Sequence, residues 1–149
     1  MPNLYPAFEM PEIVEQARPK PEPDYPESYL FDFEKGDFVV DGAGRVVVAD
    51  GYTAWAQWCV KAVLTERFAY LVYGSGYGCE LEQARGQPSR QAVEAELERA
   101  ITEALLMDPR TEVVRGFRFT WEGDQLRVAF TVVPAVGDPE WLEVMYSAV

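Results

Sequence analysis

Hydrophobic and polar positions follow two distinct periods between Pro88 and Val133. Ser89 is the expected N-cap of a helix on which Val93, Leu97, Ile101, Ala104 and Leu105 recur at helical spacing. Glu94, Glu96, Glu98, Arg99 and Glu103 fall mostly on its other faces. Pro109 disfavours helical geometry at the residue before it, so Asp108 is the expected stop. A period of two follows, with Phe117, Phe119 and Trp121 on one face and Arg118 and Thr120 on the other. After Glu122-Gly123-Asp124-Gln125 the alternation resumes through Leu126, Val128, Phe130 and Val132, which predicts a two-stranded hairpin. The apolar stripe of the helix and the apolar face of the hairpin are expected to cover each other as the core.

Upstream, Tyr29, Phe31 and Phe33 alternate with Leu30, Asp32 and Glu34, and Lys35-Gly36 marks a turn. Phe38-Val39-Val40 and Arg45-Val46-Val47-Val48 flank Asp41-Gly42-Ala43-Gly44, a second hairpin signal. That turn lacks the acidic spacing of an EF-hand loop. Thr53 is the expected cap of a helix reaching about Glu66. Its polar residues Thr53, Gln57, Lys61 and Thr65 form one thin stripe, and the rest is apolar, so most of it is expected to be buried. Residues 67 to 88 form a turn-rich connector in which Tyr70, Tyr73 and Tyr77 are expected to pack on the core. Its glycine cluster, Gly74-Ser75-Gly76-Tyr77-Gly78, has neither the spacing of a phosphate loop nor a compatible charge, since Glu80 and Glu82 follow.

The first 27 residues read differently. They hold seven of the eleven prolines, and Pro19-Lys20-Pro21-Glu22-Pro23 favours polyproline II geometry. Either a solvated tail or an arm lying on a neighbouring subunit fits this composition. Leu4, Tyr5, Phe8, Ile13 and Val14 would supply the arm's anchors, and favour it. The expected organisation is therefore a Pro-rich extended arm over 1–27 and a single α+β domain over 28–149. That domain has antiparallel strands and hairpins packed on two main helices.

Composition narrows the function. A chain of 149 residues buries roughly 68–70% of its unfolded surface. No window approaches the ~20 apolar residues of a membrane span, and no signal peptide is expected at the start. The formal charge of −12 repels phosphate backbones, so nucleic acid is not an expected partner, and without a spanning window neither is a membrane. Cys59 and Cys79 are compatible with a reduced cytoplasm. With no histidine there is no Ser-His-Asp or Cys-His nucleophile and no histidine-bearing zinc site. No carboxylate pair stands out from the acidic background as a glycosidase pair would. The residues point to no enzyme and no cofactor or metal.

Three runs carry a resemblance: Leu64-Thr65-Glu66-Arg67, Tyr77-Gly78-Cys79-Glu80-Leu81, and Leu106-Met107-Asp108-Pro109-Arg110 ahead of a hairpin. Together with Trp58 and Asp32-Phe33-Glu34-x-Gly36-Asp37-Phe38, they resemble the baseplate wedge or sheath-initiator family of contractile phage tails, in its XkdS-like branch from PBSX-type prophages. The likeness covers most of residues 28 to 133, with a looser one around Leu4-Tyr5-Pro6. It implies a structural α+β virion protein, assembled from the host cytoplasm into the tail baseplate. Its implied partners are wedge proteins, tail tube and sheath, in copies set by baseplate symmetry. An acidic adaptor or assembly chaperone absent from the final particle is the alternative.

The resemblance also implies a partner-binding site. The family's Glu-Pro-Arg tripeptide, at the contact with the wedge helical bundle, falls on Asp108, Pro109 and Arg110, with Glu66 and Arg67 in the flanking motif. This chain has Asp where the family has Glu, and it lacks a glycine that many relatives carry before Glu66. Two readings of the corner are open. Arg110 presents a fork of donors to a partner, or a local Asp108–Arg110 or Glu66–Arg110 pair staples the fold.

Overall fold

The computed structural model describes residues 21–148. The anchors proposed above for the arm, Leu4 to Val14, lie outside the described residues. Four two-residue strands, β1 (Ser28–Tyr29), β2 (Phe31–Asp32), β3 (Asp37–Phe38) and β4 (Val48–Ala49), precede helix α1 (Gly51–Leu64). A short α2 (Glu82–Arg85) interrupts the connector, and α3 (Arg90–Leu106) leads into β5 (Thr111–Glu122), β6 (Gln125–Pro134) and β7 (Glu140–Ser147). Among the described residues the fold is mixed α and β, and its sheets are antiparallel.

The alternation read along the hairpin sets its phase. Trp121 faces Leu126 and Phe119 faces Val128 across β5 and β6, which meet through a two-residue turn at Gly123-Asp124. The sheet has a third member that the two-stranded expectation lacked. β7 pairs antiparallel with β6 in the order β5-β6-β7, placing Leu142 beside Phe130, Val144 beside Val128 and Tyr146 beside Leu126. Those side chains form one inner face that packs on α1 and α3, with Trp55, Cys59, Ala62 and Val63 from the first helix and Val93, Leu97, Ile101, Ala104 and Leu105 from the second. The reason for three strands is coverage: two helices lying side by side expose a stripe wider than one hairpin shields. The outer face carries Arg115, Arg118, Arg127, Trp141 and Met145, and among the described residues no second layer covers it. Midway along β5 the register shifts between Arg115 and Arg118, a bulge at which Gly116 takes φ +70°.

The starts of the two long helices, α1 and α3, are capped by side chains. Ser89 Oγ accepts from the Ala92 amide as expected. For α1 the cap is Asp50, not Thr53: its Oδ1 accepts from the Thr53 amide at 2.7 Å, so the helix begins three residues earlier. The strands before α1 form a small lobe rather than long ribbons. β1 pairs with β4 and β2 with β3, and the expected turn at Asp41–Gly44 is closed by a Val40–Val46 bridge. Gln57 fastens this lobe to α1. Its amide nitrogen donates to the Tyr29 carbonyl and its oxygen accepts from the Phe31 amide, both at 2.8 Å. The connector tyrosines divide. Tyr77 packs against the core, Tyr73 meets the Tyr77 ring, tilted at 4.5 Å, rather than the core, and Tyr70 is exposed, so the expectation fails for Tyr70 and Tyr73.

Candidate interaction site

The corner between α3 and β5 is built from the residues the sequence singled out. Pro109 ends the helix, and Asp108 folds back to accept the Arg110 amide at 2.8 Å. The Arg110 guanidinium then grips the same carboxylate with two nitrogens, Nε at 3.0 Å and Nη2 at 2.6 Å. The pair is largely desolvated: the side chains are 13% and 8% exposed, respectively. Bonding to Asp108 holds the Arg110 pKa above its ordinary value. The guanidinium also lies 5.7 Å from the Trp58 ring centre, and the Arg110 carbonyl accepts from the Tyr25 hydroxyl at 3.1 Å. Of the two readings left open by the sequence, the local pair is formed, and Arg110's partner is Asp108, not Glu66. Pro109 alone of the three is exposed.

Glu66 and Arg67 sit elsewhere, at the neck of the connector. The backbone there is tied by the Cys79 amide donating to the Thr65 carbonyl at 2.8 Å and the Arg67 amide donating to the Cys79 carbonyl at 3.1 Å. The Arg67 side chain, 9% exposed, donates to the Gly78 carbonyl and pairs with Glu103 of α3 at 3.3 Å. Gly78 has φ +101° and sits so close to Arg67 and Thr65 that no Cβ fits there. Burial pushes the Glu66 carboxyl up from its ordinary range, against the pull of the Glu82 and Leu81 amides at the start of α2. Beyond this fixed neck, Phe68 has φ +65° and is 70% exposed, and Tyr70, Leu71 and Val72 are exposed with it. A run of six apolar residues, Phe68 to Tyr73, in a loop of an acidic chain was a signal for such a presented tip.

Two grooves flank the corner. The first, about 730 Å³, runs between α1 and the lobe; Tyr29, Phe31, Phe33, Phe38, Trp58 and Leu64 wall it, and Lys61, Glu27 and Arg110 are its charged residues. The second, about 720 Å³, lies between Pro21–Pro23, Leu106 and the β6–β7 link, with Asp108 and Pro109 on its wall and Glu22 and Glu112 beside them. The corner is thus a rigid ridge with a recess on either side. The first groove was only half legible: the aromatic alternation was plain, but Gln57's role in holding it against α1 required the backbone of β1 and β2 in place. Chemically, the region offers apolar surface and shape. Among the described residues, no group of three or more carboxylate or thiol side chains is placed to hold a metal. Burial pushes both thiols, Cys59 and Cys79, up to about 12.

Residues 27–137, which contain the corner, the first groove's walls and the presented loop, match the family described as contractile injection system sheath initiator. This chain belongs to that family. Among relatives of this sheath initiator is the phage-like element PBSX protein XkdS of Bacillus subtilis (strain 168). It is 31% identical over 121 residues, covering 80% of this chain and 82% of the relative. The family resemblance carried by the motif runs is therefore the family found. Among the described residues, no helix is long and apolar enough to cross a membrane.

Proposed function

We propose that this sheath initiator is a structural, non-catalytic component of a contractile tail, seated in the baseplate, where it joins wedge proteins around the tail tube and starts the sheath. The supporting observation is the match of residues 27–137 to a family defined by that assembly step. The Asp108-Pro109-Arg110 ridge is its wedge-facing contact in this reading. The buried pair gives the ridge its shape, and Pro109 with the groove rims meets the partner. Glu66 and Arg67 act at one remove by holding the Phe68–Val72 tip outward, an apolar patch of the kind that marks protein contacts. Copies follow the baseplate symmetry, and the mature protein resides in the virion.

Contractile tails purified from a strain producing a tagged copy test this reading. The tag should sediment with sheathed tails in a fixed ratio to baseplate proteins. A tag found only in the soluble fraction, while tails assemble normally, would leave the adaptor or chaperone role instead. Incubation with peptidoglycan and glycan substrates should give no turnover above buffer.

A further inference from the structure

We infer that the aromatic groove between α1 and the lobe is the seat of this chain's own N-terminal segment, residues 4–15, folded back onto the domain that carries it. The groove is apolar on both walls and open in the structure, with Tyr29, Phe33, Phe38 and Leu64 among its exposed residues. Exposed apolar surface of this kind on an acidic protein calls for a cover. The chain supplies one upstream: Leu4, Tyr5, Phe8, Met10, Ile13 and Val14 are six apolar side chains within eleven residues.

Charge distinguishes the two grooves. Segment 4–15 carries Glu9, Glu12 and Glu15 and no basic residue. The second groove is lined by Glu22 and Glu112, which repel it, and by Asp108, whose charge Arg110 matches. The first holds Lys61, whose ammonium rests 5.2 Å from the Tyr73 ring centre and has no carboxylate partner among the described residues. Glu27 lies at the same groove, and the Arg110 charge there is already matched by Asp108.

Reach decides between this domain and a neighbour. Pro21–Pro23 line the second groove, Tyr25 is fixed at the ridge by its bond to the Arg110 carbonyl, and Pro26–Tyr29 line the first groove. The chain therefore already runs along its own domain from one recess to the other. Five residue steps from Pro21 to Pro26 span at most about 18 Å. The seven steps back from Pro21 to Val14 span up to about 25 Å, so the chain is long enough for Ile13 and Val14 to reach the groove. A segment rooted this close has a high effective concentration over its own groove, which a second copy has to match from solution.

Hydrogen exchange on the full-length protein, at a concentration low enough to keep it monomeric, tests the assignment. Amides of residues 4–15 should exchange about tenfold or more slowly than in a synthetic peptide of residues 1–20. The double variant Phe8→Asp/Ile13→Asp should bring them to the peptide rate and speed exchange in residues 28–33, leaving α3 unchanged. Lys61→Glu should produce a smaller loss of the same protection. Peptide-like rates in the parent protein would overturn the inference, as would protection that survives these substitutions. Protection that rises with protein concentration would place the segment on a second copy, and would overturn it equally.

Discussion

Replacing Arg110 with alanine strands the Asp108 carboxylate in a site where its residue is only 8% exposed. Removing one partner of a buried ion pair costs ~3–5 kcal/mol, because the other charge stays desolvated. Two features lower that figure here. Asp108 keeps the amide of residue 110 as a donor, at 2.8 Å in the parent. The pair also borders both grooves, so water enters once the guanidinium is gone. A loss of about 2–3 kcal/mol is expected on these grounds. At roughly 2–4 °C per kcal/mol for a domain of this size, the melting temperature falls by about 4–12 °C. Thermal unfolding followed by circular dichroism, with urea melts for the free energy, measures it. Adding Asp108→Asn to Arg110→Ala should recover stability, since no carboxylate is then left unpaired. A single variant melting within about 1 kcal/mol of the parent would show the pair to be worth no more than a surface bridge. A double variant less stable than the single would refute the desolvation argument itself.

Other outcomes follow from the contacts around the ridge. Gln57→Ala removes both side-chain bonds between α1 and the lobe. It should cost about 1–3 kcal/mol and speed amide exchange over residues 28–32 while sparing the three-stranded sheet. Cys59 and Cys79, whose buried thiols titrate only near 12, should resist iodoacetamide in the native protein and both react once it is unfolded; rapid native labelling of either would contradict the packing. Glu66 has its folded pKa raised by burial, so its contribution is full below the unfolded value and is lost as pH rises through the folded one. Glu66→Gln should therefore melt above the parent at pH 7, with the gap closing near pH 4; a gap that widens on acidification would reverse the sign of the argument.

The sequence was most informative where structure depends on neighbours a few residues apart. The stripe on α3, the Ser89 cap and the phase of β5 and β6 are local periodicities, and each appears where the residues place it. The α1 cap was harder, because Asp50 and Thr53 are both capping residues and only the extended backbone at Asp50 (ψ 168°) decides between them. β7 carries the same alternation, Leu142, Val144 and Tyr146, but its value lies in its pairing with β6, and pairing is not local. The corner was legible as residues and ambiguous as chemistry. Nothing in Asp108-Pro109-Arg110 states whether the arginine faces outward; that follows from Tyr25, Trp58 and the carboxylate two residues away closing around it. Likewise, Arg67 reads as a surface charge until Gly78, twelve positions from Glu66, is brought against it.

The bulge at Gly116 has a bearing on how the free protein avoids its own kind. β5 is a twelve-residue strand at the border of the sheet, and its outward rim of amides and carbonyls is a template onto which any extended chain could add. The register shift between Arg115 and Arg118 breaks that rim into two shorter runs that do not lie in one line, with an arginine on each side of the break. Two copies approaching rim to rim would match over one run only, and would bring like charges together at the break. Straightening the strand would lengthen the matching rim. The irregularity therefore shortens the continuous edge that two copies could share along β5.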